Sequence, residues 1–179
     1  MASGPCPACG TESRYPEERL PPDVSVIRVV RGDGGGPTTT ASYDAALADA
    51  GVHDYNLVTV SSVIPEDVPL EVVGTAPDLG PVGDRLTVVQ GRATVERGTA
   101  CAALGWRRAG DGPGIFYEST GTDSEAVRKR VETGLDAGCA LRDWTATERG
   151  GTYRTATDEG DYTTAVVLAV YGESEPIVR

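Results

Sequence analysis

Residues Tyr162–Tyr171 read YTTAVVLAVY, a run with no charge and without the polar–apolar alternation of a half-exposed strand. A continuous apolar stretch of this kind is compatible with a buried final strand. Val24–Val30 (VSVIRVV), Tyr55–Val63, Leu86–Val95, Thr99–Trp106 and Gly114–Ser119 are further strand candidates, and Leu141–Thr147 and Thr152–Thr157 read as edge strands. Arg31–Pro37 (RGDGGGP) reads as a turn dense enough in glycine to need positive backbone dihedrals. Glu71–Arg85, with its glycines and prolines, reads as a loop, and Arg107–Pro113 as a hairpin turn.

Two segments carry helical signals. Thr38–Ala50 has hydroxyl caps at its start and Gly51 at its end. From Thr122 the sequence TDSE forms a capping box, Val127, Val131 and Leu135 recur at four-residue spacing, and Gly138 is a plausible stop. The mixture is that of an α/β (α+β) chain, and 179 residues suit one domain with a tail. Residues 1–22, with five prolines among them, read as a flexible leader, which leaves 23–179 as the folded domain.

Charge narrows the function classes. The net charge is -11, from 27 acidic residues against 16 arginines and lysines, Lys129 being the sole lysine. Such a surface repels nucleic-acid phosphates and anionic membranes. It also suits a concentrated-salt cytosol, where salt screens the self-repulsion of carboxylates, although a codon bias towards arginine explains the missing lysine equally well. No apolar stretch reaches the ~20 residues that span a bilayer and the N-terminus has no apolar signal core, so the expected compartment is the cytoplasm.

Cysteine and histidine say little by themselves. Cys6 and Cys9 have knuckle spacing, but Cys101 and Cys139 stand alone in apolar sequence and read as small buried hydrophobes. A zinc site would need several copies of the leader. His53 is the only imidazole, which excludes a histidine-rich metal site and leaves a Ser-His-Asp triad dependent on one loop residue.

The serine pair in Asn56–Pro65 (NLVTVSSVIP) is the chemically suggestive feature. Adjacent serines at a strand end usually do no more than hydrogen bond to nearby backbone. A hydroxyl one residue after a strained carbonyl can instead attack it. An ester then replaces the Ser61–Ser62 amide, β-elimination leaves dehydroalanine at 62, and tautomerisation and hydrolysis turn that residue into a pyruvoyl group. The tetrahedral intermediate needs an oxyanion stabiliser, for which the Asn56 carboxamide or nearby backbone N–H groups are candidates.

NLVTVSSVIP, preceded by SYDAALADAG and followed by GIFYESTG and SEAVRKRVETGLDAGCALRDW, resembles the pyruvoyl-dependent arginine decarboxylases from Val24 to near Tyr171. The resemblance implies a four-layer αββα sandwich and self-cleavage into a β chain 1–61 and an α chain 62–179, with Ser61 at the cut and Ser62 the precursor of a covalent pyruvoyl cofactor. It implies that Asn56 acts in processing, that Glu118 is the general acid, and that Asp44 faces the guanidinium of an L-arginine substrate. It further implies a homotrimer, or a dimer of trimers of αβ units, with active sites between subunits and agmatine supplied to polyamine synthesis. Glu66 departs from the family pattern after Pro65. Apart from the resemblance, Glu118 reads as a strand-end carboxylate and Asp44 as an exposed helix residue. A pyruvoyl carbonyl would accept the electron pair released as CO2 leaves. The alternatives are an unprocessed paralogue acting as a scaffold or binding subunit, and a decarboxylase of another basic amino acid.

Overall fold

A computed structural model describes residues 26–110 and 112–178; the expected leader with Cys6 and Cys9, and the first residues of the Val24–Val30 strand, lie outside them. The described residues form a mixed α+β fold dominated by one sheet with two helices. Its elements run β1 (Ile27–Gly36), α1 (Thr39–Asp49), β2 (Asn56–Thr59), β3 (Val63–Ile64), β4 (Leu70–Gly74), β5 (Arg85–Arg108), β6 (Gly114–Gly121), α2 (Ser124–Leu141) and β7 (Glu148–Tyr171). The sheet order is β3-β6-β5-β7-β1-β4, and β2 pairs with β5.

The strands β5 and β7, 24 residues each, form an antiparallel ladder whose register shifts between Glu96 and Gly98. Arg97 and Gly98 both have positive φ at that irregularity, the local bend that a bulge introduces. On one side of it, β5 and β7 continue into β1, β4 and β2; on the other they continue into β6 and β3. The two leaves fold over each other: a Cβ placed on Gly91 would lie 3.3 Å from Glu118 Cβ and 3.4 Å from the Ala103 carbonyl oxygen.

Alternation along the strands then fills three buried clusters. Val29, Val89, Ala165, Val167 and Ala169 of one leaf meet Leu104, Trp106 and Phe116 of the other. Val30, Val88, Val166, Leu168 and Val170 point outward beneath Ala46 and Leu47 of α1. Cys101, Ala103 and Ile115 point outward beneath Val127, Val131 and Leu135 of α2. Residues 165–170 of β7 are thus apolar on both faces because each face is covered, which is why the final run has no alternation. Truncating a buried leucine such as Leu104 or Leu168 to alanine would cost about 2–5 kcal/mol.

The glycine-rich run is the clearest correction. Arg31–Gly36 continues strand β1 and is no turn, and none of Gly32, Gly34 or Gly36 has positive φ. These glycines are needed for closeness. A Cβ on Gly32 would sit 2.2 Å from the Ala46 carbonyl oxygen, and one on Gly34 2.5 Å from Ala45 Cβ, so α1 packs directly on the strand backbone. The helix itself matches expectation: Thr38 caps it, accepting from the Ala41 N–H, and Gly51 follows it at φ 77°.

Other boundaries move for tertiary reasons. The start of the Glu71–Arg85 segment, expected as loop, belongs to strand Leu70–Gly74 because the edge of β1 offers it a parallel partner. The separate candidates in 86–106 fuse into β5, and those in 152–171 into β7, of which only the N-terminal half is an edge. Asp123, and not Thr122, caps α2 through bonds from the Glu125 and Ala126 N–H groups. The helix passes Gly138 and ends at Leu141, so the strand expected at Leu141–Thr147 is a helix end and a loop. Among the described residues no helix is long and apolar enough to cross a membrane.

Candidate active site

The expected strand Tyr55–Val63 is two strands in two leaves, with the serine pair at the crossing. Through β2 the chain pairs with β5, and the last contact there is the Val60 N–H to the Val88 carbonyl at 3.0 Å. Two residues later the Ser62 carbonyl accepts from the Phe116 N–H at 2.8 Å, and β3 pairs with β6. Ser61 is the only residue between these two anchorages. The chain turns tightly there, and the Val63 N–H donates to the Ser61 carbonyl at 2.8 Å, a three-residue γ-type turn centred on Ser62. Ser62 has no positive φ, so the corner lacks that form of the expected backbone strain. It has instead a polarised carbonyl, with an N–H already on the oxygen that would carry charge during attack.

Glu118 reaches the same corner from β6. Ser62 Oγ donates to Glu118 Oε2 at 3.2 Å, which joins the Ser62 hydroxyl to a carboxylate able to take its proton. Glu118 is exposed in the single chain, whereas the side chains of Ile115 and Phe116 before it are buried. Tyr171, at the end of β7 in the other leaf, donates its phenol to the Val63 carbonyl at 2.9 Å and meets Phe116 edge-on with ring centroids 6.4 Å apart. Burial, and next the negative charge of Glu118, push the Tyr171 phenol well above its ordinary value, so it stays a protonated donor.

A groove of about 540 Å³ opens beside the serines, bounded by β3 and β6 on one side and by Gly134, Ala137, Gly138 and Leu141 of α2 and its cap Arg142 on the other. Small residues let the helix come close here. A Cβ on Gly134 would meet the Tyr117 ring at 2.2 Å, and one on Gly138 would meet Ile115 Cδ1 at 2.4 Å, which is the role of the glycine expected to stop α2. A smaller cavity of about 310 Å³ on the other side of α2 shares no residue with this groove; of its arginines, Arg107 is paired with Glu132 and Arg128 lies over the Tyr153 ring.

Ser61, Ser62 and Glu118 are therefore brought together within one chain. Asn56 and Asp44 do not line the groove. Asn56 opens β2, with its backbone N–H on the Asp84 carbonyl and its carboxamide on the Gly83 carbonyl. Asp44 is exposed on α1, next to Tyr43, whose ring carries Arg92 at 4.0 Å. His53 is exposed, with Asp54 3.6 Å away, and Cys101 is buried and Cys139 partly buried on the α2 side, as read from the sequence. Sequence reasoning offered nearby backbone N–H groups without naming them, and that of Val63 is such a local one; it missed Tyr171 and Phe116, which only tertiary pairing brings to the serines.

The geometry is that of a peptide corner with its own nucleophile, acceptor and donor, and the model of the pyruvoyl-dependent arginine decarboxylase family matches residues 26–176. The chain belongs to that family. Pyruvoyl-dependent arginine decarboxylases from two strains of Halobacterium salinarum are each 49% identical to it over 154 residues, 84% of this chain and 96% of theirs. The pyruvoyl-dependent arginine decarboxylase of Methanopyrus kandleri is 32% identical over 145 residues, 80% of this chain and 93% of the relative. Pyruvoyl dependence, as the family name states it, means a covalently bound pyruvoyl cofactor.

Proposed function

We propose that this chain cleaves itself between Ser61 and Ser62 and then decarboxylates L-arginine to agmatine and CO2, a step that feeds polyamine synthesis. The observation that carries the reading is the hydrogen bond from Ser62 Oγ to Glu118 at a corner where the Ser61 carbonyl already accepts the Val63 N–H. With Glu118 accepting its proton, Ser62 Oγ adds to the Ser61 carbonyl carbon, and as that proton passes to the Ser62 nitrogen the Ser61–Ser62 C–N bond breaks to give the ester and a free amine. Loss of the Ser62 Cα proton then expels Ser61 as a carboxylate. Water releases ammonia from the tautomerised residue and leaves a pyruvoyl group at position 62.

The residues present fit that group. The Ser62 carbonyl, which would adjoin the pyruvoyl ketone, is held by the Phe116 N–H, and position 62 opens on the groove. When bound, the pyruvoyl group supplies the electron sink for loss of CO2. Glu118, freed of its bond to Ser62, is placed to return a proton to the substrate Cα. Asp44 would pair with the substrate guanidinium in a fork-like contact, and Asn56 would act in processing. Neither lines the groove of its own chain, which supports a homotrimer, or a pair of trimers, whose neighbouring copies complete each site. The three separate clusters, one under each helix and one between the leaves, support the reading of a four-layer αββα sandwich.

Mass analysis under denaturing conditions tests the first half: fragments 1–61 and 62–179 are expected, the larger without a free amine, and S62A should remain one chain. Carboxyl-labelled arginine, lysine, ornithine and histidine, offered separately, test the second, with CO2 released fastest from arginine. An uncut chain that releases no CO2 would favour a scaffold or binding subunit.

A further inference from the structure

Cleavage between residues 61 and 62 removes the covalent tether on one side of the cofactor, and what remains is short. β3 has only Val63 and Ile64, paired with Ile115 and Gly114 of β6. The turn bond from the Val63 N–H to the Ser61 carbonyl belongs to the part that is cut away. The end that carries the reacting carbonyl must nevertheless stay aimed, because small misplacements of a reacting group are costly in rate.

We propose that Tyr171 is a positioning residue for this end, its phenol holding the Val63 carbonyl so that residue 62 stays directed into the groove before and after cleavage. The inference rests on the reading of Ser62 as cofactor precursor given above. Tyr171 belongs to the other leaf: it pairs in register with Ile27 of β1 and reaches across to β3, 108 residues away in sequence, at 2.9 Å. Its ring also lies edge-on, at 77°, against Phe116, whose N–H holds the Ser62 carbonyl. One side chain therefore holds the Val63 carbonyl directly and packs on the residue whose N–H holds the Ser62 carbonyl. Its phenol donates to Val63, while Glu118 separately accepts from Ser62 Oγ. Burial keeps that phenol protonated, so the brace holds across the working pH range.

Tyr171→Phe removes the donor and keeps the ring. Three measurements on full-length protein separate the outcomes: the rate of self-cleavage by mass analysis, kcat and KM for arginine on the cleaved enzyme, and the thermal midpoint. The loss of one neutral hydrogen bond predicts cleavage and kcat each about tenfold slower, with KM within about twofold of wild type and the midpoint lower by no more than about 2–4 °C. A variant that folds but stays uncut would support the inference equally. Wild-type cleavage rate and kcat in Y171F would overturn the inference while leaving the proposed function intact. A variant that loses only stability, or fails to fold, would make Tyr171 a structural residue and overturn it too. A wild-type chain that never cleaves would remove the proposed function itself.

Discussion

Ser62 Oγ lies 3.2 Å from Glu118 Oε2, a hydroxyl on a two-leaf crossing facing a carboxylate on the longer strand β6. In the proposed function one carboxylate would serve two successive proton transfers, from Ser62 during processing and to the substrate Cα during turnover. The two duties are separable by experiment.

Glu118→Gln retains an acceptor oxygen for the Ser62 hydroxyl and loses the ability to exchange a proton. Decarboxylation by the cleaved fraction should fall by roughly 10²–10⁴-fold in kcat, the usual contribution of a general acid or base. Self-cleavage should also slow. A cleaved E118Q enzyme with wild-type kcat would remove Glu118 from the chemistry.

Gly32→Ala tests the contact between β1 and α1. The new methyl would meet the Ala46 carbonyl oxygen at 2.2 Å and the Ala50 nitrogen at 2.7 Å, both backbone atoms of the helix and its cap, so the helix must lift. Overpacking of this sort costs about 1–3 kcal/mol, read as a lower urea midpoint at unchanged slope. Gly74→Ala is a useful contrast, since its Cβ would meet nothing within 4 Å and only its φ of 82° opposes the change.

Alkaline denaturation should report Tyr171. Burial first, and Glu118 second, raise its phenol in the folded chain, so the native state keeps a proton that the unfolded chain gives up above about pH 10. The stabilisation is complete below that pH and fades as pH rises further. The urea midpoint of the wild type should therefore fall more steeply than that of Y171F in this alkaline range; parallel curves would show that the folded phenol ionises normally.

The acidic surface predicts a salt response. With a net charge of -11, raising KCl from ~0.1 M to ~1 M shortens the screening length from ~10 Å to ~3 Å and should raise the thermal midpoint. A midpoint unchanged by salt would leave codon bias as the account of the missing lysine.

Much of this protein was legible locally. The capped α1, the buried stripe Val127, Val131 and Leu135 of α2, the final apolar strand and the serine pair all follow from residue type and spacing, and the motifs around Asn56–Pro65 carried the family. These are properties of a few neighbouring residues, and period, capping and propensity act over that range. Tertiary structure decided the rest. It made RGDGGG a strand, because those glycines answer to a helix pressed on their backbone and to no turn of their own. It broke 55–63 into two strands, because one end found a partner in β5 and the other in β6. It brought Glu118 and Tyr171 to Ser62 and Val63, and it left Asn56 and Asp44 off the groove. The Ser62–Glu118 contact, 56 positions apart, needs β3 to pair with β6, and the Tyr171–Val63 contact, 108 apart, arises only when two leaves close on one core; no local pattern in the chain encodes either.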